Sequence, residues 1–155
     1  MLRIGCVVLA MIWAQTAMAI EPREGWQVVN TTQDYKTLVA SVRKAVKVAP
    51  INVVTQASAS GGASQQGITI PGNRVFGLYR NDYARRMLEA SGASGIEAPI
   101  RMYVTENPDG TATLSYKTPT SVFAPYLDEG GDALMTLAEE LDAVFEMVAE
   151  IAVGN

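Results

Sequence analysis

Histidine is absent from all 155 residues, and the single cysteine, Cys6, lies near the N-terminus. With the segment that holds Cys6 set aside, the chain has neither imidazole nor thiol. That excludes a Ser-His-Asp triad, a Cys-His dyad, a zinc site of the usual nitrogen and sulfur ligands, a His- or Cys-ligated haem, and any disulfide. No cofactor and no metal site are expected, and acid–base chemistry would fall to Asp, Glu, Lys or Tyr. Positive charge is missing from the C-terminal end: from Asp128 onward there are eight acidic residues and no basic one. An acidic chain without a basic run argues against a nucleic-acid partner.

The apolar run at residues 4–13 spans about 15 Å as a helix, half of the roughly 30 Å hydrocarbon core. It has the pattern of a secretory signal instead. Arg3 gives a positive start, residues 4–13 the apolar centre, and Ala17-Met18-Ala19 a small-x-small cleavage site. Cleavage after Ala19 is expected, giving a periplasmic or secreted protein with no stable membrane insertion. Cys6 precedes most of the apolar run, whereas a lipid-accepting cysteine would follow it, so Cys6 leaves with the signal. Residues 20–155 then form one domain of 136 residues, with eleven basic and sixteen acidic side chains. At that size a core forms without disulfides.

Hydrophobic periodicity sets out the elements. Residues 25–30 read as a strand, followed by a helix to about Lys47 with Thr31 as N-cap and Asp34 at the capping-box position. Tyr35, Leu38, Val39, Val42 and Val46 make its apolar stripe. Residues 51–55 are a β-branched strand, and the small, polar stretch 57–67 reads as a mobile loop. Residues 74–79 form another strand. Asn81 caps the next helix, with Ala84, Met87 and Leu88 inward and Arg85 and Arg86 outward. Residues 99–106 and 111–117 form a hairpin around Asn107-Pro108-Asp109-Gly110, a type I turn with a bulge. A final helix over 132–153 carries Leu134, Leu137, Leu141, Val144, Val148 and Ile151 as a narrow seam, with Phe145 and Met147 at its edge. Fewer than three heptads are present, which favours a helix covering its own sheet over one docking a partner chain.

In this order the segments resemble the domain-of-unknown-function family numbered 302, small bacterial and archaeal domains found alone or behind signal peptides. The resemblance rests on the early helix with Ile51-Asn52-Val53-Val54-Thr55, on Val75-Phe76-Gly77-Leu78-Tyr79-Arg80-Asn81, and on Ala98-Pro99-Ile100-Arg101-Met102-Tyr103-Val104. The Asp109-Gly110 turn, Leu114-Ser115-Tyr116-Lys117-Thr118-Pro119 and the terminal helix complete it. It implies an α/β two-layer sandwich, with a mostly antiparallel sheet covered on one face by helices, among them the long amphipathic C-terminal helix. It implies a homodimer and no particular activity. Many members carry a histidine just after the second strand, where this chain has Ala57-Ser58-Ala59-Ser60, and often Asn-Pro where it has Asn81-Asp82. No role resting on that histidine transfers.

If Ile100, Met102 and Val104 face the helices, Arg101, Tyr103 and Thr105 occupy the opposite sheet face with Thr113, Ser115 and Lys117. Arg101 as a bidentate donor, Lys117 as a point charge and Tyr103 between them suit a small anionic ligand; an ordinary solvated face is the plainer alternative. Tyr79, Arg80 and Asn81, where a strand meets a helix N-terminus, are a second candidate, set against Asn81 as a plain cap. Glu97, before Ala98-Pro99, and Glu106, before the turn, would be an acid–base pair only if they met. Two function classes stay open: a non-catalytic, dimeric periplasmic domain that binds a small anionic or polar molecule, and a metal-free hydrolase, lyase or isomerase using Glu, Tyr and Lys.

Overall fold

A computed structural model describes residues 19–154; the expected signal, apart from Ala19, lies outside the described residues. Five strands, β1 (Trp26–Asp34), β2 (Asn52–Ala57), β3 (Asn73–Tyr79), β4 (Ile100–Glu106) and β5 (Thr111–Lys117), form one sheet in the order β1-β5-β4-β3-β2. Every neighbouring pair is antiparallel. The β4–β5 hairpin closes at Asn107, whose carbonyl accepts the Gly110 amide at 3.0 Å, and Gly110 takes φ 84° as the bulge residue. A side chain at that φ would be strained, which is why glycine ends the turn.

Alternation fixes the two faces. Phe76, Leu78, Ile100, Met102, Val104, Leu114 and Tyr116 point to the helices and are buried. Helix α1 (Tyr35–Val48) lays Leu38, Val39, Val42, Ala45 and Val46 on that face. Its cap is Asp34, whose carboxylate accepts the Thr37 amide at 2.8 Å, and that bond holds the Asp34 carboxyl below its ordinary range. Thr31, expected as the cap, is still strand: its hydroxyl donates to the Ala112 carbonyl at 2.8 Å, and pairing with β5 resumes at Asp34. Strand pairing thus delays the helix by one turn.

The stretch expected as a mobile loop contains a short helix, α2 (Ala59–Gln65). It buries nothing, but side chains supply its hydrogen bonds: the Ser58 hydroxyl accepts the Gly61 amide at 3.0 Å, and Asn73 Oδ1 accepts the Ala59 amide at 2.8 Å. Helix α3 (Asn81–Ala90) buries Ala84 and Met87, while Leu88, expected inward, is 52% exposed and lies over Gly95. Arg86 clasps Glu140 with both terminal guanidinium nitrogens, Nη1 and Nη2, tying α3 to the last helix.

That last helix, α5 (Leu127–Val153), follows a short helix α4 (Pro119–Phe123) and a 3₁₀ turn (Ala124–Tyr126). Gly131 (φ 53°) breaks it, so the regular run starts where the seam does. Its buried stripe is wider than the expected seam. Ala138, Ala149 and Ala152 join it, and Phe145 is fully buried rather than at the edge, its ring 5.6 Å from that of Tyr116. Ile151 and Met147 remain partly exposed. The helix covers its own sheet and α1, and the burial of Phe145 alone contributes about 3 kcal/mol. Among the described residues no helix is long and apolar enough to cross a membrane.

Candidate functional site

The face away from the helices is organised in rows across the strands. One row runs Trp26, Lys117, Arg101, Gly77, Thr55; the next runs Val28, Ser115, Tyr103, Val75, Ala57. The register that pairs Met102 with Tyr116 sets Arg101 beside Lys117 on neighbouring strands. Like charges in adjacent cross-strand positions repel. Neither is paired: among the described residues the ion pairs are Arg80–Asp82 and Arg86–Glu140. The Trp26 ring steadies this end of the row, with Lys117 Nζ 6.0 Å and the Arg23 guanidinium 5.4 Å from its centroid.

These two rows form part of a hollow of about 340 Å³, lined by Trp26, Arg101, Tyr103, Ser115 and Lys117. The rest of the lining comes from segments without a strong periodic signal: Glu97 at the end of a 3₁₀ turn (Ala93–Glu97), Ser121 and Val122 of α4, and Pro125 of the turn after it. Tyr126 donates its hydroxyl to Glu97 Oε1 at 2.8 Å, which raises the tyrosine's pKa. Burial likewise raises the pKa of Tyr103, keeping its hydroxyl protonated.

The lining also includes Ser115, 0% exposed, whose hydroxyl has no hydrogen-bond partner among the described residues. Two residues earlier on the same strand and face, the equally buried Thr113 hydroxyl donates to Asn30 Oδ1 at 2.8 Å, with Asn107 Oδ1 at 3.0 Å. Buried polar groups are ordinarily satisfied; Arg74 Nε and Thr105 Oγ1 are likewise unpartnered among the described residues, and of the three only Ser115 lines the hollow. A second hollow of about 340 Å³ shares Val75, Glu97 and Arg101 with the first and reaches Thr55 and the exposed Ile96.

Of the residues singled out from the sequence, Arg101, Tyr103 and Lys117 come together here. Tyr79, Arg80 and Asn81 do not line the hollow. Asn81 is the first residue of α3 rather than its cap; the cap position is Arg80, with no side-chain cap bond. The Arg80 guanidinium is engaged by both Asp82 carboxylate oxygens, at 2.6 and 2.7 Å, and by the Pro50 carbonyl at 2.7 Å. The two carboxylates do not meet. Glu97 precedes β4 and Glu106 ends it, a separation on the order of 20 Å at strand rise. Glu106 accepts the Gly72 amide at 2.6 Å, a structural bond. Acid–base use would have to rest on Glu97 with Tyr103 and Lys117. Trp26, Ser121, Val122 and Pro125 were not singled out from the sequence. Trp26 follows from strand parity once β1 is paired with β5, whereas the α4 part of the lining has too short a pattern to be found.

The family model described as "Domain of unknown function DUF302" matches residues 27–150. Among solved structures, the crystal structure of an uncharacterized conserved protein DUF302 from Bacillus stearothermophilus is similar, with a TM-score of 0.69 at 16% identity. The match covers 84% of this chain and 97% of that one. At that identity the likeness speaks for the fold alone. No curated protein matches the chain.

Proposed function

This chain belongs to the DUF302 family, matched over residues 27–150, a family whose description names no activity, and from that premise we propose that it is an exported, non-catalytic domain binding a small anion in the open-face hollow. The observation that carries this reading is the pair Arg101 and Lys117, side by side on β4 and β5, with no carboxylate partner among the described residues, lining a hollow that Ser115 with its unpartnered hydroxyl also lines. A bound anion relieves the repulsion between the two cations and accepts hydrogen bonds from both. A volume of about 340 Å³ is at the small end of ligand pockets. Two-fold docking through this face is the weaker use, since it would bring each copy's Arg101 and Lys117 toward the other's.

Thermal-shift screening of the mature domain against small carboxylates, phosphates and sulfonates tests the reading, with Arg101→Ala and Lys117→Ala beside it. A ligand at a hundred times its Kd adds about 2.7 kcal/mol of stability. That gain should vanish in both variants while sedimentation stays unchanged. Hits that survive both substitutions would place the ligand elsewhere. The export half of the proposal is checked separately: mature protein recovered from the periplasm should begin at Ile20.

A further inference from the structure

We infer that the ligand is a small zwitterion with an apolar side chain, of the amino-acid type; this rests on the anion-binding reading and narrows it. The hollow holds both signs of charge without letting them neutralise each other. Glu97 lines the same hollow as Arg101 and Lys117, yet it forms no ion pair with any described residue; its fold contact is the Tyr126 hydroxyl on Oε1. The second carboxylate oxygen has no such bond. Elsewhere arginines are paired with carboxylates, Arg80 with Asp82 and Arg86 with Glu140. Here the Tyr126 hydroxyl holds Glu97 Oε1, the strand register sets Arg101 beside Lys117, and the Lys117 ammonium lies over the Trp26 ring.

Unlike charges that line one hollow without pairing with each other are complementary to a molecule that carries both. The ligand carboxylate goes to Arg101 and Lys117, and its ammonium to the free oxygen of Glu97. A dianion such as phosphate is disfavoured there, because its second charge would face Glu97. The rest of the lining includes apolar side chains, Trp26, Val75, Val122 and Pro125. That lining suits a hydrocarbon or aromatic side chain.

Calorimetric titration of the mature domain with matched ligands tests this. L-phenylalanine and L-leucine are compared with hydrocinnamate and isocaproate, which lack only the ammonium, and with phenethylamine, which lacks the carboxylate. The free amino acids should bind at least about tenfold tighter than either partner class. Glu97→Gln keeps an acceptor for Tyr126, so it should fold as the parent does and erase the preference over the deaminated acids without abolishing acid binding. Arg101→Ala should abolish binding of both. If hydrocinnamate and isocaproate match the amino acids and Glu97→Gln changes neither, the zwitterion inference is overturned while the anion reading stands. The same holds if inorganic phosphate binds and no amino acid does. If no organic or inorganic anion binds at millimolar concentration, both readings fall.

Discussion

Ser115→Ala should make the free protein more stable, the reverse of the usual outcome for a buried substitution. The Ser115 hydroxyl is fully buried and unpartnered among the described residues, a condition that costs about 1 to 3 kcal/mol. Removing one oxygen forfeits only a handful of dispersion contacts, about 0.5 kcal/mol in all, and leaves a void smaller than a water molecule. The net is a gain of about 1 kcal/mol, or roughly 3 °C in Tm for a domain of this size. Thr113→Val is the control. Its hydroxyl is bonded to Asn30 and lies within reach of Asn107, so the nearly isosteric change should cost about 1 to 2 kcal/mol. Urea unfolding of the three proteins at equal m-value reads both differences directly. If Ser115→Ala loses stability while Thr113→Val is silent, the Ser115 hydroxyl is satisfied in solution, and it no longer supports a site there.

Phe145→Ala empties a fully buried position between α5 and Tyr116 and should cost about 3 to 5 kcal/mol, read by the same urea titration. Burial, reinforced by Glu146, Asp142 and Glu150, moves the Tyr116 phenol from the ordinary 10 up to about 12. The folded state therefore keeps this proton in a window where the unfolded chain has released it. Its stabilisation is complete below the unfolded value and falls as pH rises from 10 toward 12. By about pH 11 roughly 1 kcal/mol is lost through this group. Tyr116→Phe should flatten that part of the alkaline limb, and an unchanged slope would refute the assignment.

The hairpin and the faces of its strands could be read because each strand keeps one clean alternation, so Met102 and Val104 fix where Arg101 and Tyr103 must point. The regular part of α5 could be read because its apolar spacing starts where Gly131 breaks the chain. Residues whose role depends on another segment were hidden. Asp34 rather than Thr31 caps α1 because β5 keeps Thr31 in the sheet. The serine-glycine stretch is partly helical because Asn73, outside it, supplies an acceptor. Phe145 is central rather than peripheral because Tyr116 meets it from another layer. For the site, the cationic row follows from parity alone. The lining by Glu97, Val122 and Pro125 depends on a chain path through two short helical pieces, with no period to betray it.

The position of β1 also bears on how such a chain is delivered. This strand opens the domain, yet it sits at an edge and pairs only with β5; Thr31 is bonded to Ala112, 81 residues further on. Long-range pairings of this kind form late, because a large loop must close before any contact rewards it. On the export reading, the first strand behind the signal leaves the ribosome long before its partner exists. It stays unpaired until nearly the whole sheet has been synthesised, and it crosses the membrane first, again ahead of that partner. On that reading the order of strands would act as a timer, because β1 could not pair until β5 had followed it across the membrane.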